Sequence, residues 1–306
     1  MWQQLCKDLQ SGNIKALART ISLIENECEG YERLLKMLPN NNAAKIIGIT
    51  GPPGAGKSTL VDVLIGELLA GGKKVAVLCI DPSSPFNLGA VLGDRIRMSD
   101  WYTNENVFIR SLATRGSMGG LHPKIIEITE VVKASYFDYV IVETVGVGQS
   151  EIEIAGLADT TVVVMVPEGG DEVQTMKAGL MEIADIFVIN KSDRPGADAF
   201  VKNLRLMLAP AFHQHDFEIA VIKTVASTVT GVQQLYEVIQ KHQQLVLENK
   251  KKSWLLAEKA YYLIQQKRMK GISKTALQQE ISSKIHEPGF NFYQFVDLIN
   301  QPTTKL

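Results

Sequence analysis

The sequence predicts an α/β fold with a mostly parallel central sheet covered by helices on both faces. Three observations carry that reading. Apolar, β-branched runs recur at 45–50, 74–80, 107–112, 139–143, 161–166, 186–190 and 219–223. Most are continuous rather than alternating, as strands buried on both faces require. Helix-length stretches separate them, so right-handed βαβ crossovers are expected.

The elements before and after this core read as helical extensions. In residues 1–38, Ile14, Leu17, Ala18, Ile21 and Ile24 recur at helical spacing, and Tyr31, Leu34, Leu35 and Leu38 continue a second helix. Pro39-Asn40-Asn41-Asn42 breaks the pattern. From Gln240 the chain turns rich in Lys, Gln, Leu and Ala. The expected organisation is an N-terminal helical segment (1–42), a central domain (43–245) and a C-terminal helical extension (246–306). In that extension Trp254, Leu255, Ala257, Ala260, Tyr261 and Ile264 line one helix face. The face fits packing on the same chain and a dimer contact equally well.

Between the first strand and the next helix lies Gly51-Pro52-Pro53-Gly54-Ala55-Gly56-Lys57-Ser58-Thr59. It matches G-x-x-x-x-G-K-[ST], the phosphate loop, and makes the core a P-loop NTPase. Glycines let backbone N–H groups wrap a phosphate chain where a Cβ would block the approach. The helix N-terminus adds partial positive charge. Lys57, expected in a solvated loop, reaches the β- and γ-phosphates, and the Ser58 hydroxyl ligates Mg²⁺.

Asn190-Lys191-Ser192-Asp193 follows an apolar strand and matches N-K-x-D. Ligands bind at such strand ends in open α/β sheets. The Asp193 carboxylate matches the N1–H and N2–H₂ donors of guanine. Adenine would leave it unpaired, so the nucleotide is GTP. Lys191 can lie over the base, and Asn190 can tie its loop to the phosphate loop. Val225 and Ala226, after the last strand, are candidates to present backbone N–H to guanine O6.

Two carboxylates sit at strand ends beside the phosphates: Asp81 and Glu143. A charge that ends a buried strand needs a partner. Glu143 could bind Mg²⁺ through water, and the Gly146 N–H could contact a γ-phosphate. Asp94 opens a helical stretch, where an N-cap is the commonest role. Carboxylates that hold the metal and orient water are what phosphoryl transfer needs.

Three runs are distinctive together: Asp81-Pro82-Ser83-Ser84-Pro85-Phe86 with Leu92-Gly93-Asp94-Arg95-Ile96-Arg97-Met98; Glu143-Thr144-Val145-Gly146-Val147-Gly148-Gln149-Ser150-Glu151; and Gly170-Asp171-Glu172-Val173-Gln174-Thr175-Met176-Lys177-Ala178-Gly179. They resemble the methylmalonyl-CoA mutase-associated GTPases, the MeaB/ArgK family. The resemblance implies a GTPase chaperone that gates adenosylcobalamin loading and protects a B12-dependent acyl-CoA mutase. It makes Lys57, Asp81, Asp94 and Glu143 the phosphate, magnesium and hydrolysis residues. It implies a switch at 167–177 that includes Asp171, Gln174 and Lys177, and a homodimer formed through the C-terminal helices.

Two other readings use the same core. A metal-delivery GTPase for nickel enzymes would need Cys and His ligands, and five His and three scattered Cys give no such spacing. A kinase acting on a transport protein would transfer phosphate to a protein hydroxyl rather than to water. The near-neutral charge, −1 from 32 basic and 33 acidic residues, argues against nucleic acid as the main partner. Cys6, Cys28 and Cys79 form no pair in sequence, which fits reduced thiols in the cytoplasm. No signal peptide and no apolar run of the ~18 residues of a membrane span are expected.

Overall fold

The computed structural model describes residues 1–39, 44–82, 98–115, 121–146, 150–168, 179–208, 219–245, 250–269, 272–287 and 289–300. Its strands are β1 (Lys45–Thr50), β2 (Val75–Asp81), β3 (Val107–Ala113), β4 (Tyr139–Glu143), β5 (Thr160–Met165), β6 (Ile186–Ile189) and β7 (Ala220–Lys223). They form one sheet in the order β3-β2-β4-β1-β5-β6-β7. Every neighbouring pair is parallel. The chain is therefore an α/β protein with a P-loop NTPase architecture. The order reverses direction around β1, and such a reversal opens a crevice at the carboxyl ends of the strands.

Twelve α-helices are present among the described residues. They are α1 (Trp2–Gln10), α2 (Ile14–Glu25), α3 (Tyr31–Met37), α4 (Lys57–Ala70), α5 (Ile125–Lys133), α6 (Ser150–Leu157), α7 (Gly179–Ile183), α8 (Ala197–Leu208), α9 (Val232–Leu245), α10 (Lys250–Arg268), α11 (Lys274–Lys284) and α12 (Phe292–Asn300). By contacts the chain divides into two compact units, Met1–Leu255 and Leu256–Leu306.

In the first unit, alternation along each strand splits the core by face. Ile47, Ile49, Val77, Ile141, Val162 and Val164 pack with α4 and α9. Ile46, Leu78, Ile80, Val140 and Val142 turn the other way, toward α2 and α5. Val163, Met165, Phe187 and Ile189 meet α7 and α8 on that same side. The strands read as continuous apolar runs because both faces are filled.

α4 carries the start of the site. Leu60, Val61, Leu64, Ile65 and Leu68 are all fully buried. Each such aliphatic side chain stabilises by roughly 1.5–3 kcal/mol when removed from water. That burial fixes α4 against the sheet and aims its first turn at the end of β1.

The N-terminal helices form a layer on the outer part of the sheet. Asn13 caps α2, its side chain accepting from the Ala16 N–H at 3.0 Å. Leu17, Ile21 and Ile24 then pack with Ile128, Val132, Phe108 and Leu112. α1 is a separate helix whose Leu5, Cys6 and Leu9 are buried. The sequence reading covers it only as part of the helical stretch 1–38, although Trp2, Leu5, Cys6 and Leu9 recur at helical spacing.

In the second unit Phe295 is buried beside Phe290, their rings 6.1 Å apart. Ten of the eighteen exposed large apolar side chains among the described residues belong to this unit, so its core is small for the apolar surface it carries. No helix among the described residues is long and apolar enough to cross a membrane.

Candidate functional site

The phosphate loop leaves β1 and enters α4 through backbone that only glycine adopts easily. Gly51, Gly54 and Gly56 have φ of 137°, 77° and 85°. A Cβ on Gly51 would lie 2.0 Å from the Val164 carbonyl oxygen. The loop is thereby pressed against β5. Gly146, with φ of 83°, closes the loop from the other side. A Cβ there would meet the Gly51 oxygen at 2.3 Å and Lys57 Nζ at 2.4 Å.

Lys57 is buried, at 7% exposure, where the sequence reading expected a solvated position. Its ammonium donates to the Gly51 oxygen at 2.9 Å and the Pro52 oxygen at 3.2 Å. The compact loop, not the open solvent, surrounds its head group.

Ser58 Oγ donates to Glu143 Oε1 at 2.7 Å. Both residues are buried, and so is Asp81 at 2% exposure. Asp81 closes β2 as its last residue rather than following it. In register, Glu143 lies beside Cys79 on one flank and Ile49 on the other. A strand-end carboxylate and a helix-start hydroxyl thus meet beside the end of β1, and Asp81 ends the next strand but one. The segment after Glu143 is held by Thr144, whose N–H donates to the Ile49 oxygen at 3.0 Å and whose Oγ1 donates to Thr50 Oγ1 at 2.8 Å. That threonine pair carried no signal in the sequence.

The second half of the site centres on Asn190, 2% exposed. Its Nδ2 donates to the Ala55 oxygen at 2.9 Å, which joins the Asn190–Asp193 turn to the phosphate loop. Its Oδ1 accepts from Thr224 Oγ1 at 3.2 Å and from the Ala226 N–H at 3.1 Å. Lys191 takes a left-handed backbone, φ 55°, and its Nζ donates to the Gly54 oxygen at 2.8 Å. Asp193 is exposed. Of the two amides expected to face guanine O6, that of Val225 donates to the Thr230 oxygen at 3.0 Å and that of Ala226 to Asn190. Pro52, Pro53 and Ala55 lie in the loop, and Thr59 lies in the first turn of α4.

Near this edge Arg194 forms an ion pair with Glu168. Its hydrogen bond holds the Glu168 carboxyl below the ordinary glutamate range. His122 is buried and serves the backbone, its Nδ1 accepting from the Lys124 N–H at 3.0 Å. Asp94, Asp171, Gln174 and Lys177 lie outside the described residues.

The family model described as methylmalonyl Co-A mutase-associated GTPase MeaB matches residues 17–281. A protein of Pyrococcus abyssi named as a GTPase is 44% identical over 309 residues, covering 100% of this chain and 92% of its own. The GTPase ArgK of Escherichia coli is 41% identical over 190 residues, 60% of this chain and 57% of its own. A methylmalonic aciduria type A homolog of Caenorhabditis briggsae, named as mitochondrial, is 40% identical over 208 residues, 62% of this chain and 50% of its own. Among solved structures, one described as a LAO/AO transport system kinase superposes with a TM-score of 0.67 at 25% identity, covering 97% of each chain. A phosphate loop tied by Asn190 to an N-K-x-D turn, on a seven-stranded parallel sheet and matched along most of its length, makes this chain a GTP-hydrolysing member of the methylmalonyl Co-A mutase-associated GTPase MeaB family.

Proposed function

We propose that this GTPase gates the loading of adenosylcobalamin into a B12-dependent acyl-CoA mutase of the methylmalonyl-CoA mutase type, and protects that enzyme. The chemical half of the reading rests on the Ser58 to Glu143 hydrogen bond of 2.7 Å. It pairs a hydroxyl at a helix start with a strand-end carboxylate beside a buried lysine.

The loop amides and the N-terminus of α4 receive the β- and γ-phosphates, and Lys57 offsets their charge. Ser58, Asp81 and Glu143 offer hard oxygen donors that suit Mg²⁺. Among the described residues no group of three or more His, Cys, Asp or Glu could hold a metal alone. Mg²⁺ commonly takes one or two carboxylates and completes its shell from substrate phosphate and water. When bound, Mg²⁺ would neutralise charge developing on the transferred phosphoryl group. Asp94 joins this carboxylate set in the proposal. Asp193 selects guanine, while Asn190 and Lys191 hold its turn against the phosphate loop.

The family match supports the mutase half. So does the name of the Caenorhabditis briggsae relative. In this reading Asp171, Gln174 and Lys177 report nucleotide state to the mutase. The Glu168–Arg194 pair ties the chain entering that segment to the turn that bears Asp193. The exposed Trp254, Tyr261 and Ile264 of α10 fit a homodimer contact.

The test is co-purification with a B12-dependent mutase, followed by GTP turnover with and without it. Stimulation is expected, and equal rates reject the partner. The likeness to a transport system kinase supports a second reading, phosphate transfer to protein. Recovery of the γ-phosphate on a protein rather than as inorganic phosphate would favour it.

A further inference from the structure

Four non-glycine residues among those described have a left-handed backbone: Glu27, Arg115, Lys191 and Val229. Each such residue costs roughly 1–2 kcal/mol, and such strain clusters where geometry is used. Lys191 and Val229 belong to the loops around Asn190. Glu27 and Arg115 belong to a different place, where the junction of α2 and α3 touches the exit of β3 through Glu25 and Asn26.

Two arginines of the β3 region converge on the last turn of α2. Arg110 donates to Glu25 Oε2 and, at 3.0 Å, to Ser22 Oγ. Arg115 donates to the Glu25 carbonyl oxygen and, at 3.3 Å, to Asn26 Oδ1. A guanidinium on the final carbonyls of a helix meets the negative end of its dipole. Beyond the connection that follows Arg115, Lys124 Nζ reaches Tyr31 Oη at 3.1 Å and Glu27 at 3.4 Å. The junction therefore grips both sides of that connection. Packing alone does not need these polar contacts, because α2 already buries Leu17, Ile21 and Ile24.

The grip lies one step from the carboxylates. Ala113 pairs in register with Asp81, and the Thr114 N–H donates to the Asp81 carbonyl oxygen at 3.1 Å. Asp81 is buried at the last position of β2, so the place of its carboxylate follows that backbone. We propose that the α2–α3 junction, acting through Arg115, is a positioning element that fixes the exits of β3 and β2 and so seats Asp81 for Mg²⁺. This rests on the reading of Asp81 as a magnesium-side carboxylate.

The experiment titrates Mg²⁺ against the affinity of the full chain for a fluorescent GDP analogue, with GTP turnover and thermal unfolding measured alongside. Arg115→Ala is expected to raise the Mg²⁺ concentration at half effect about five- to tenfold, the scale of one or two lost hydrogen bonds. Affinity in the presence of EDTA should stay within about twofold, since phosphate-loop contacts are untouched. Asn26→Ala and Arg115→Lys should shift the midpoint in the same direction by less, and they carry the test if Arg115→Ala does not fold. Leu34→Ala, a buried packing change on α3, should lower thermal stability and leave the midpoint in place. An unchanged midpoint in the Arg115 and Asn26 variants overturns the proposal. An equal shift in Leu34→Ala also overturns it, by making the effect one of general stability. Absence of any Mg²⁺ effect in the unmodified protein would remove the site reading itself, and this inference with it.

Discussion

Asn190 and Ala55 are joined by a hydrogen bond of 2.9 Å across 135 residues of sequence. The same side chain accepts from Thr224 and Ala226, so one amide links three loops. Asn190→Ala would strand the Ala55 oxygen and the Ala226 N–H in a buried place. We expect a loss of about 2–3 kcal/mol in stability and a fall of at least about tenfold in GTP affinity. Denaturant titration and calorimetry read the two separately. A stability loss with unchanged affinity would assign Asn190 to folding alone.

Asp193 is exposed, so its side chain can be exchanged without disturbing the core. Asp193→Asn should move preference from guanosine toward xanthosine nucleotides, with GTP weakened on the order of 10²-fold. The check is KM for GTP and XTP measured side by side. Equal KM values in the unmodified and substituted chains would end the base-recognition role.

Glu143→Gln keeps the shape and an acceptor for Ser58 but removes the charge. The substitution should lower kcat for GTP hydrolysis by about 10²-fold or more while changing GDP affinity severalfold at most, because charge stabilisation matters most in the transition state. Parallel losses in both quantities would mark a structural role instead.

Tyr139 opens β4, buried against Tyr236, and that burial pushes its phenol up to about 12 from 10.0. The sign follows from linkage. An unfolded tyrosine ionises from about pH 10, while the folded one keeps its proton. Stability is therefore full below pH 10 and falls as pH rises from 10 toward 12. Tyr139→Phe should flatten that fall by about 1–3 kcal/mol. Urea unfolding at pH 9 and pH 11.5 measures it, and identical slopes in the two proteins would contradict it.

Much of this architecture was legible because a buried parallel strand is written in consecutive apolar residues, as in Val162, Val163 and Val164. Strand ends were placed to within a residue or so: Asp81 proved to be the last residue of β2 rather than the first after it. Motifs placed the phosphate loop and the Asn190–Asp193 turn for the same reason, since their residues are contiguous. What stayed hidden depends on distant partners. Ser58 and Glu143 are 85 residues apart, as are Arg110 and Glu25, and no local period announces such pairs. The burial of Lys57 was also invisible, because Gly146 and Gly51 close over it from separate parts of the chain. The engagement of the Val225 and Ala226 amides arises in the same way, from Thr230 and Asn190 folding back on them.

The central place of β1 has a consequence for how the chain is made. Ile47 pairs with Ile141 on one side and Thr160 on the other. At the ribosome, both edges of this apolar strand stay bare until β4 and β5 have emerged. A nascent chain that stops before them exposes a segment prone to pairing with its neighbours. Closing such long loops is also slow, since their entropy must be spent before the pairing repays it. The phosphate loop leans on Val164, so it takes its shape late in synthesis. Guanine nucleotide would then capture the finished sheet and hold it against reopening.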